Sequence, residues 1–194
     1  MEILTAFRRL FTGLVIVLLD IRMNTFDIVP DAIGFLLIVW ALDKLAQHSG
    51  HFRKAKGMAL VLVVCAIISL FQIFGSEISE ITDITISQAD MGSLVLSFVN
   101  GIAQLLMAYF IFEGIQELVV PFNPALASAA ENRKWFYVGS HYLLLLMFPW
   151  GLNLEEQIIV PFILFFGFIV FVMEILFITL VHRVGKEFYL RQES

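Results

Sequence analysis

The stretch Ile158–Val181 reads IIVPFILFFGFIVFVMEILFITLV, and among its 24 residues Glu174 is the only charged one. Nineteen of these residues are Leu, Ile, Phe or Val. A helix of about 20 apolar residues is long enough to cross the hydrocarbon core of a bilayer. The stretch therefore predicts a membrane-spanning helix over 158–181.

Five further apolar runs precede this stretch. The six predicted spans cover about 4–19, 28–42, 57–74, 92–112, 135–152 and 158–181. The 194-residue chain is 60% hydrophobic and only 15% charged, with a mean hydropathy of +0.91. Soluble domains carry roughly 25% charged residues. The composition thus predicts an all-α, polytopic membrane helix bundle, a single domain of six transmembrane helices over residues 1–194.

The basic residues predict how the spans are oriented. Short cytoplasmic loops of membrane proteins carry an excess of Lys and Arg. With both termini in the cytoplasm, eleven of the twelve Lys and Arg residues fall on the inner side, and only Arg22 falls outside. Five or seven spans would mix the two sides. We therefore expect a multi-pass cell-membrane protein with N-in, C-in topology.

Charge and motifs exclude several classes of function. The net charge is −5, whereas nucleic-acid binding needs a clustered basic surface. We therefore expect no nucleic-acid partner. The chain contains no Walker loop, dinucleotide fingerprint, nucleophile elbow or HExxH motif. His48 and His51 lack the further ligands that a metal site needs. We predict no metal and no cofactor, and an intramembrane enzyme is only the third alternative.

Glu174 is the polar residue that most needs a partner. A central acid costs roughly 2.5–3.5 kcal/mol on insertion scales, although the apolar residues around it offset that cost. Glu174 is therefore expected to face the bundle interior. His141, at a similar depth in the neighbouring span, is its predicted partner. Such a pair either carries protons or a cation, or joins two helices by a hydrogen bond.

Span four carries polar side chains at intervals of four, three and four residues, which places them on one helical face: Ser93, Ser97, Asn100 and Gln104. Such a stripe either lets helices pack closely or lines a polar pocket. Both interpretations stay open, and Asn100 and Gln104 join Glu174 and His141 as candidate ligand- or ion-binding residues. Glu113 and Glu117 lie nearer the cytoplasm and are expected to be solvated.

A polar segment between the first two spans is a second candidate site. Asp27 is placed to cap the second helix, and Asp31 is favoured by the dipole at its start. The alternative is an outward-facing site for a cation or a zwitterion, built from Arg22, Asp27 and Asp31 with Asp20. Capping and ligand binding both remain open from the sequence.

The same segment carries a family resemblance. Residues 26–34 read FDIVPDAIG. They resemble the Asp-Ile-x-Pro-Asp-x-Ile-Gly segment that opens the second span in a group of small bacterial membrane proteins. That group has no assigned function, so the resemblance implies a bacterial cytoplasmic membrane.

Two functions remain open from the sequence. The first is a small-molecule or ion binding or transport component with an intramembrane polar site. The second is a non-catalytic membrane subunit or regulator, whose polar residues mediate contacts between helices or with a partner. The first implies a small-molecule or cation ligand, the second a partner membrane protein or a homo-oligomer. Both imply contact with the lipid bilayer.

Overall fold

The computed structural model describes residues 2–19, 31–79, 91–151 and 156–193. The described residues form six α-helices and short turns, with no strand among them, so the predicted all-α class is confirmed. The helices are α1 Glu2–Leu19, α2 Asp31–Leu45, α3 Gly50–Ser79, α4 Met91–Val119, α5 Pro124–Gly151 and α6 Glu156–Glu193.

Two helices begin where the sequence supplies a capping side chain. Asn123 Oδ1 accepts a hydrogen bond from the Leu126 backbone N–H at 3.0 Å. Pro124 fills the first position of α5, where no backbone N–H is needed. At the start of α3, Ser49 Oγ accepts the His51 backbone N–H at 3.1 Å. Because of the cap at Asn123, helix α5 begins at Pro124, well before the apolar run predicted from residue 135.

The six helices form a closed ring in which each packs against its neighbours in sequence, and α6 packs against α1. Neighbouring helices are antiparallel. On α1, Phe7 stacks on Phe188 of α6, while Phe11, one turn further on, contacts His182. One end of the ring thus holds the α2–α3 turn, the α4–α5 turn and eleven basic residues. We call it the basic end: Arg8, Arg9, Lys44, Arg53, Lys54, Lys56, Arg133, Lys134, Arg183, Lys186 and Arg191.

Aromatic and aliphatic side chains fill the ring at the level of this end. Phe7, Phe52, Phe112, Tyr137 and Phe177 are among the largest fully buried side chains. The Phe112 ring lies 4.7 Å from the Phe177 ring and 5.7 Å from the Tyr137 ring, centroid to centroid. These contacts join α4, α5 and α6 on the side of Glu174 that faces the basic end.

The outward faces of α2 to α6 are largely apolar. Trp40, Phe136 and Phe168 are 59%, 72% and 67% exposed, and similar side chains surround them. By length and composition, two helices of the described part of the chain contain stretches able to cross a membrane, Val95–Val119 and Leu164–Arg191. The described residues thus form six helices, while six membrane crossings stay a prediction.

Candidate functional site

Glu174 lies on α6 and receives hydrogen bonds from two neighbouring helices. The Tyr137 hydroxyl donates to Glu174 Oε1 at 2.6 Å, and Gln104 Nε2 donates to the same oxygen at 3.4 Å. His141 Nε2 is 3.2 Å from that oxygen. The predicted contact between His141 and Glu174 is thus present, and Gln104 joins it from α4.

The second ring nitrogen of His141 determines where protons lie in this site. His141 Nδ1 is 2.9 Å from the carbonyl oxygen of Tyr137. A carbonyl oxygen only accepts hydrogen bonds, so Nδ1 carries a hydrogen. A hydrogen bond between His141 Nε2 and Glu174 Oε1, which are 3.2 Å apart, then requires one further proton. With that proton bound, the pair is either a charged imidazolium and carboxylate or a neutral imidazole and carboxylic acid.

Tyr137 and His141 are held rigidly relative to each other. They are four residues apart on α5, which places both side chains on the same helical face. Their rings stack with centroids 3.9 Å apart and an angle of 19° between planes. Both residues are buried, at 1% and 8% exposure. The phenol and the imidazole therefore present a fixed pair of groups to Glu174.

A cavity of about 110 Å³ adjoins Glu174 inside the ring. Its polar wall consists of Gln104, Tyr137 and Glu174, and its apolar wall consists of Leu14, Val17, Leu18, Met107 and Phe177. No described residue donates a hydrogen bond to the second oxygen of Glu174. A cavity needs roughly 10–15 Å³ to hold a water. This one has room for several waters, or for a small cation with part of its hydration.

A second polar layer lies nearer the basic end. Lys134 Nζ donates to Glu113 Oε1 at 2.6 Å, and Lys134 is only 4% exposed. The buried Ser49 hydroxyl donates to Glu117 Oε2. The expectation that Glu113 is simply solvated is therefore wrong, because it is partly buried and paired with Lys134. Glu117 is exposed, as expected, and accepts one hydrogen bond from Ser49.

His51 adds an unusual group to this layer. Its Nδ1 is buried and has no hydrogen-bond partner among the described residues. The Glu113 carboxylate is close enough to interact electrostatically with the imidazole. The polar layer therefore extends from α4 and α5 to the start of α3.

The structure divides the predicted site residues into separate groups. Glu174, His141 and Gln104 come together, whereas Asn100 does not line the cavity. Asn100 lies one turn, or about 6 Å, further along α4. Asp31 is the first residue of α2 and also lies outside the cavity. Arg22 and Asp27 fall outside the described residues, so the outer candidate site stays a prediction.

Tyr137 is the site residue that the sequence analysis missed. Its hydroxyl makes the shortest of the hydrogen bonds to Glu174. It lies one turn before His141 in the same apolar run. The spacing of four residues between Tyr137 and His141 was the available signal. A phenol at that position packs equally well against lipid or core, so the spacing alone does not select it.

Comparison with protein-family models, with curated proteins and with solved structures found no match to this chain. Support for a function therefore comes from the residues and the side-chain geometry of the chain itself.

Proposed function

We propose that the protein is a six-span component of a bacterial cytoplasmic membrane that binds, and passes on, a small molecule or an ion at Glu174. The observation that carries the proposal is the contact between His141 Nε2 and Glu174 Oε1, 3.2 Å apart, beside a cavity of about 110 Å³. A site that only joins helices needs no space beside it.

The surface of the ring supports the membrane placement. Soluble proteins rarely expose contiguous apolar patches larger than a few hundred Å², whereas five of these helices have largely apolar outward faces. Trp40 and Trp135, each 59% exposed, lie toward the basic end, where an aromatic belt would contact headgroups. The basic end is then the cytoplasmic end, with both termini inside.

The chemistry of the cavity favours a cation. Glu174 Oε2 and the oxygens of Tyr137 and Gln104 are the polar acceptors on its wall, and no ammonium or guanidinium group lines it. A cation entering the cavity is attracted to the ionised form of Glu174 and repels any proton held between Glu174 and His141. Binding of the cation is thereby coupled to release of a proton, as in intramembrane carboxylate–histidine relays.

A second function is favoured by the same hydrogen bonds. Gln104, Tyr137 and Glu174 connect α4, α5 and α6, and interhelical hydrogen bonds of this kind stabilise membrane bundles by about 0.6–2 kcal/mol each. If stabilisation is their whole role, the protein is a non-catalytic subunit or regulator. Its partner is then another membrane protein or a second copy of this chain, rather than a ligand in the cavity.

Replacing Glu174 by Gln distinguishes the two functions. Gln has the same shape and keeps an acceptor for the Tyr137 hydroxyl, but it holds neither the proton nor a cation. We expect the free energy of unfolding to change by less than about 1 kcal/mol. Native mass spectrometry of protein extracted gently from its own membranes should show a small molecule or cation retained by the wild type. The variant should lose that species, or bind it at least about tenfold more weakly.

Glu117→Gln is the matched control, because Glu117 accepts one hydrogen bond from Ser49 and does not line the cavity. It should retain the ligand as the wild type does. The binding function is wrong if the wild type retains nothing and Glu174→Gln lowers stability or the content of a defined oligomer. That result supports the subunit function instead.

A further inference from the structure

A second concavity, of about 610 Å³, lies between α1 and α6 near the basic end. It opens on the outside of the ring, because Arg8, Thr12, His182 and Lys186 on its walls are all exposed. We call it the α1–α6 groove. It does not share a lining residue with the cavity at Glu174.

The α1–α6 groove carries positive charge that the protein itself does not neutralise. Arg8 comes from α1 and Lys186 from α6, and no acidic side chain of the described residues lines the groove. Within the described ranges, neither residue forms an ion pair, whereas Lys56 and Lys134 are paired with Asp43 and Glu113. Two unpaired cations facing one concavity indicate an anionic occupant.

Apolar side chains form the rest of the groove. Leu4, Phe7, Phe11 and Val181 lie among the cations and the hydroxyl-bearing side chains. Such walls do not stabilise a free anion, because burial against hydrocarbon groups removes its hydrating water and supplies no hydrogen bonds in return. An amphiphile fits both parts, with its charged headgroup at Arg8 and Lys186 and its acyl chain along the apolar wall.

The depth of the groove selects the kind of amphiphile. His182 directly follows the apolar run 158–181, so the groove lies where the hydrocarbon of the cytoplasmic leaflet ends. Long basic side chains near span ends reach toward that interface. Basic pockets between helices on this side of membranes bind phosphate-containing headgroups.

We propose that the α1–α6 groove binds the phosphate headgroup of an anionic phospholipid from the cytoplasmic leaflet, with Arg8 and Lys186 as its cationic ligands. The proposal rests on the N-in, C-in orientation proposed above and not on the role of Glu174. Glu174→Gln should therefore leave lipid binding unchanged, so the two proposals fail separately.

The test is native mass spectrometry of the purified full chain in detergent, titrated with dioleoyl phosphatidylglycerol. Dioleoyl phosphatidylcholine and inorganic phosphate are the comparison probes. We expect discrete binding of phosphatidylglycerol and much weaker binding of the other two. Because each basic residue contributes about 1 kcal/mol near an anionic surface, the variant Arg8→Gln/Lys186→Gln should bind it roughly 30-fold more weakly.

Arg9→Gln/Arg183→Gln is the matched control. It removes the same charge from the same two helices, at neighbouring exposed positions that do not line the groove. This control should keep phosphatidylglycerol binding within about twofold, and thermal unfolding without lipid should be alike in both variants. Equal loss in the two variants, equal binding of phosphatidylcholine, or equal binding of phosphate alone overturns the proposal.

Discussion

Replacing Lys134 by Met is expected to lower the free energy of unfolding by about 2–4 kcal/mol. Lys134 is 4% exposed and donates to Glu113 at 2.6 Å, so Met leaves a largely enclosed carboxylate without its partner. Removing one member of a buried ion pair costs more than the pair contributes, because the remaining charge stays desolvated. The partial exposure of Glu113, 23% for its side chain, keeps the cost below the highest values. Thermal or denaturant unfolding in mild detergent measures it.

Two controls test that explanation. Lys134→Met/Glu113→Leu removes both charges and should regain much of the lost stability. Lys56→Met removes a lysine from the exposed ion pair with Asp43 and should have a much smaller effect. An effect of Lys56→Met as large as that of Lys134→Met would contradict the assignment of the cost to burial.

The Asp43–Lys56 pair also predicts a pH dependence at the basic end. The hydrogen bond from Lys56 holds the pKa of Asp43 below its usual value. The small stabilisation from this pair is therefore present above the unfolded-state pKa and is lost as the pH falls through the folded-state value. Lys56→Met should remove that acid-dependent component.

Replacing Gly13 by Ala is expected to cost about 1–3 kcal/mol, because α1 and α2 cross at a pair of glycines. A Cβ on Gly13 would lie 2.9 Å from the Gly34 carbonyl oxygen and 2.8 Å from Ile38 Cγ1. A Cβ on Gly34 would lie 2.6 Å from Val17 Cγ2. Two of the three nearest atoms to a Cβ on Gly13, the Gly34 carbonyl oxygen and the Ile38 nitrogen, belong to the backbone and cannot rotate away, so the two helices must separate. Unfolding in detergent measures the loss.

Gly57→Ala is the matched control, because a Cβ there meets nothing within 4 Å. Ala in a helix interior is favoured over Gly by roughly 0.5–1 kcal/mol, so this variant should be as stable as the wild type or slightly more so. Similar destabilisation in both variants would show that the α1–α2 crossing is not close-packed.

The helices were largely predictable from the sequence, but their ends were not. Each apolar run predicted a helix, and the order of the six runs is the order of the six helices. Hydropathy detects only the apolar part of a helix. Helix α5 begins at Pro124 and α6 continues to Glu193, because alanine-rich and charged segments also form helices when capped or paired. The glycine crossing of α1 and α2 was missed, since packing partners are not visible in one helix.

The candidate site was predictable in part, for similar reasons. Counting residues from the inner ends of two adjacent spans gave the contact between His141 and Glu174. Helical periodicity placed Asn100 and Gln104 on one face of α4. Periodicity does not predict how far a cavity extends along that face, so it could not separate Gln104 from Asn100. Lys134 and Glu113 lie on different helices at a span end, where solvation and pairing are equally consistent with the sequence.

In the proposed function, Gln104 and Glu174 line a water-accessible cavity inside a ring of helices surrounded by lipid. Cysteine accessibility in membrane vesicles measures whether water reaches this cavity, and it is practicable because Cys65 is the only cysteine of the sequence and is buried. In a Cys65→Ala background, Gln104→Cys places a thiol at the cavity. Ile102→Cys places one at nearly the same depth, where Ile102 is 37% exposed on the outward face.

A small cationic methanethiosulfonate reagent reacts with the thiolate, which forms in water and not in hydrocarbon. We predict that the reagent modifies Gln104→Cys and leaves Ile102→Cys unmodified. If neither thiol reacts, the interior is dry and the polar residues only join helices. If both react equally, the outward face lies in water and the membrane placement is wrong.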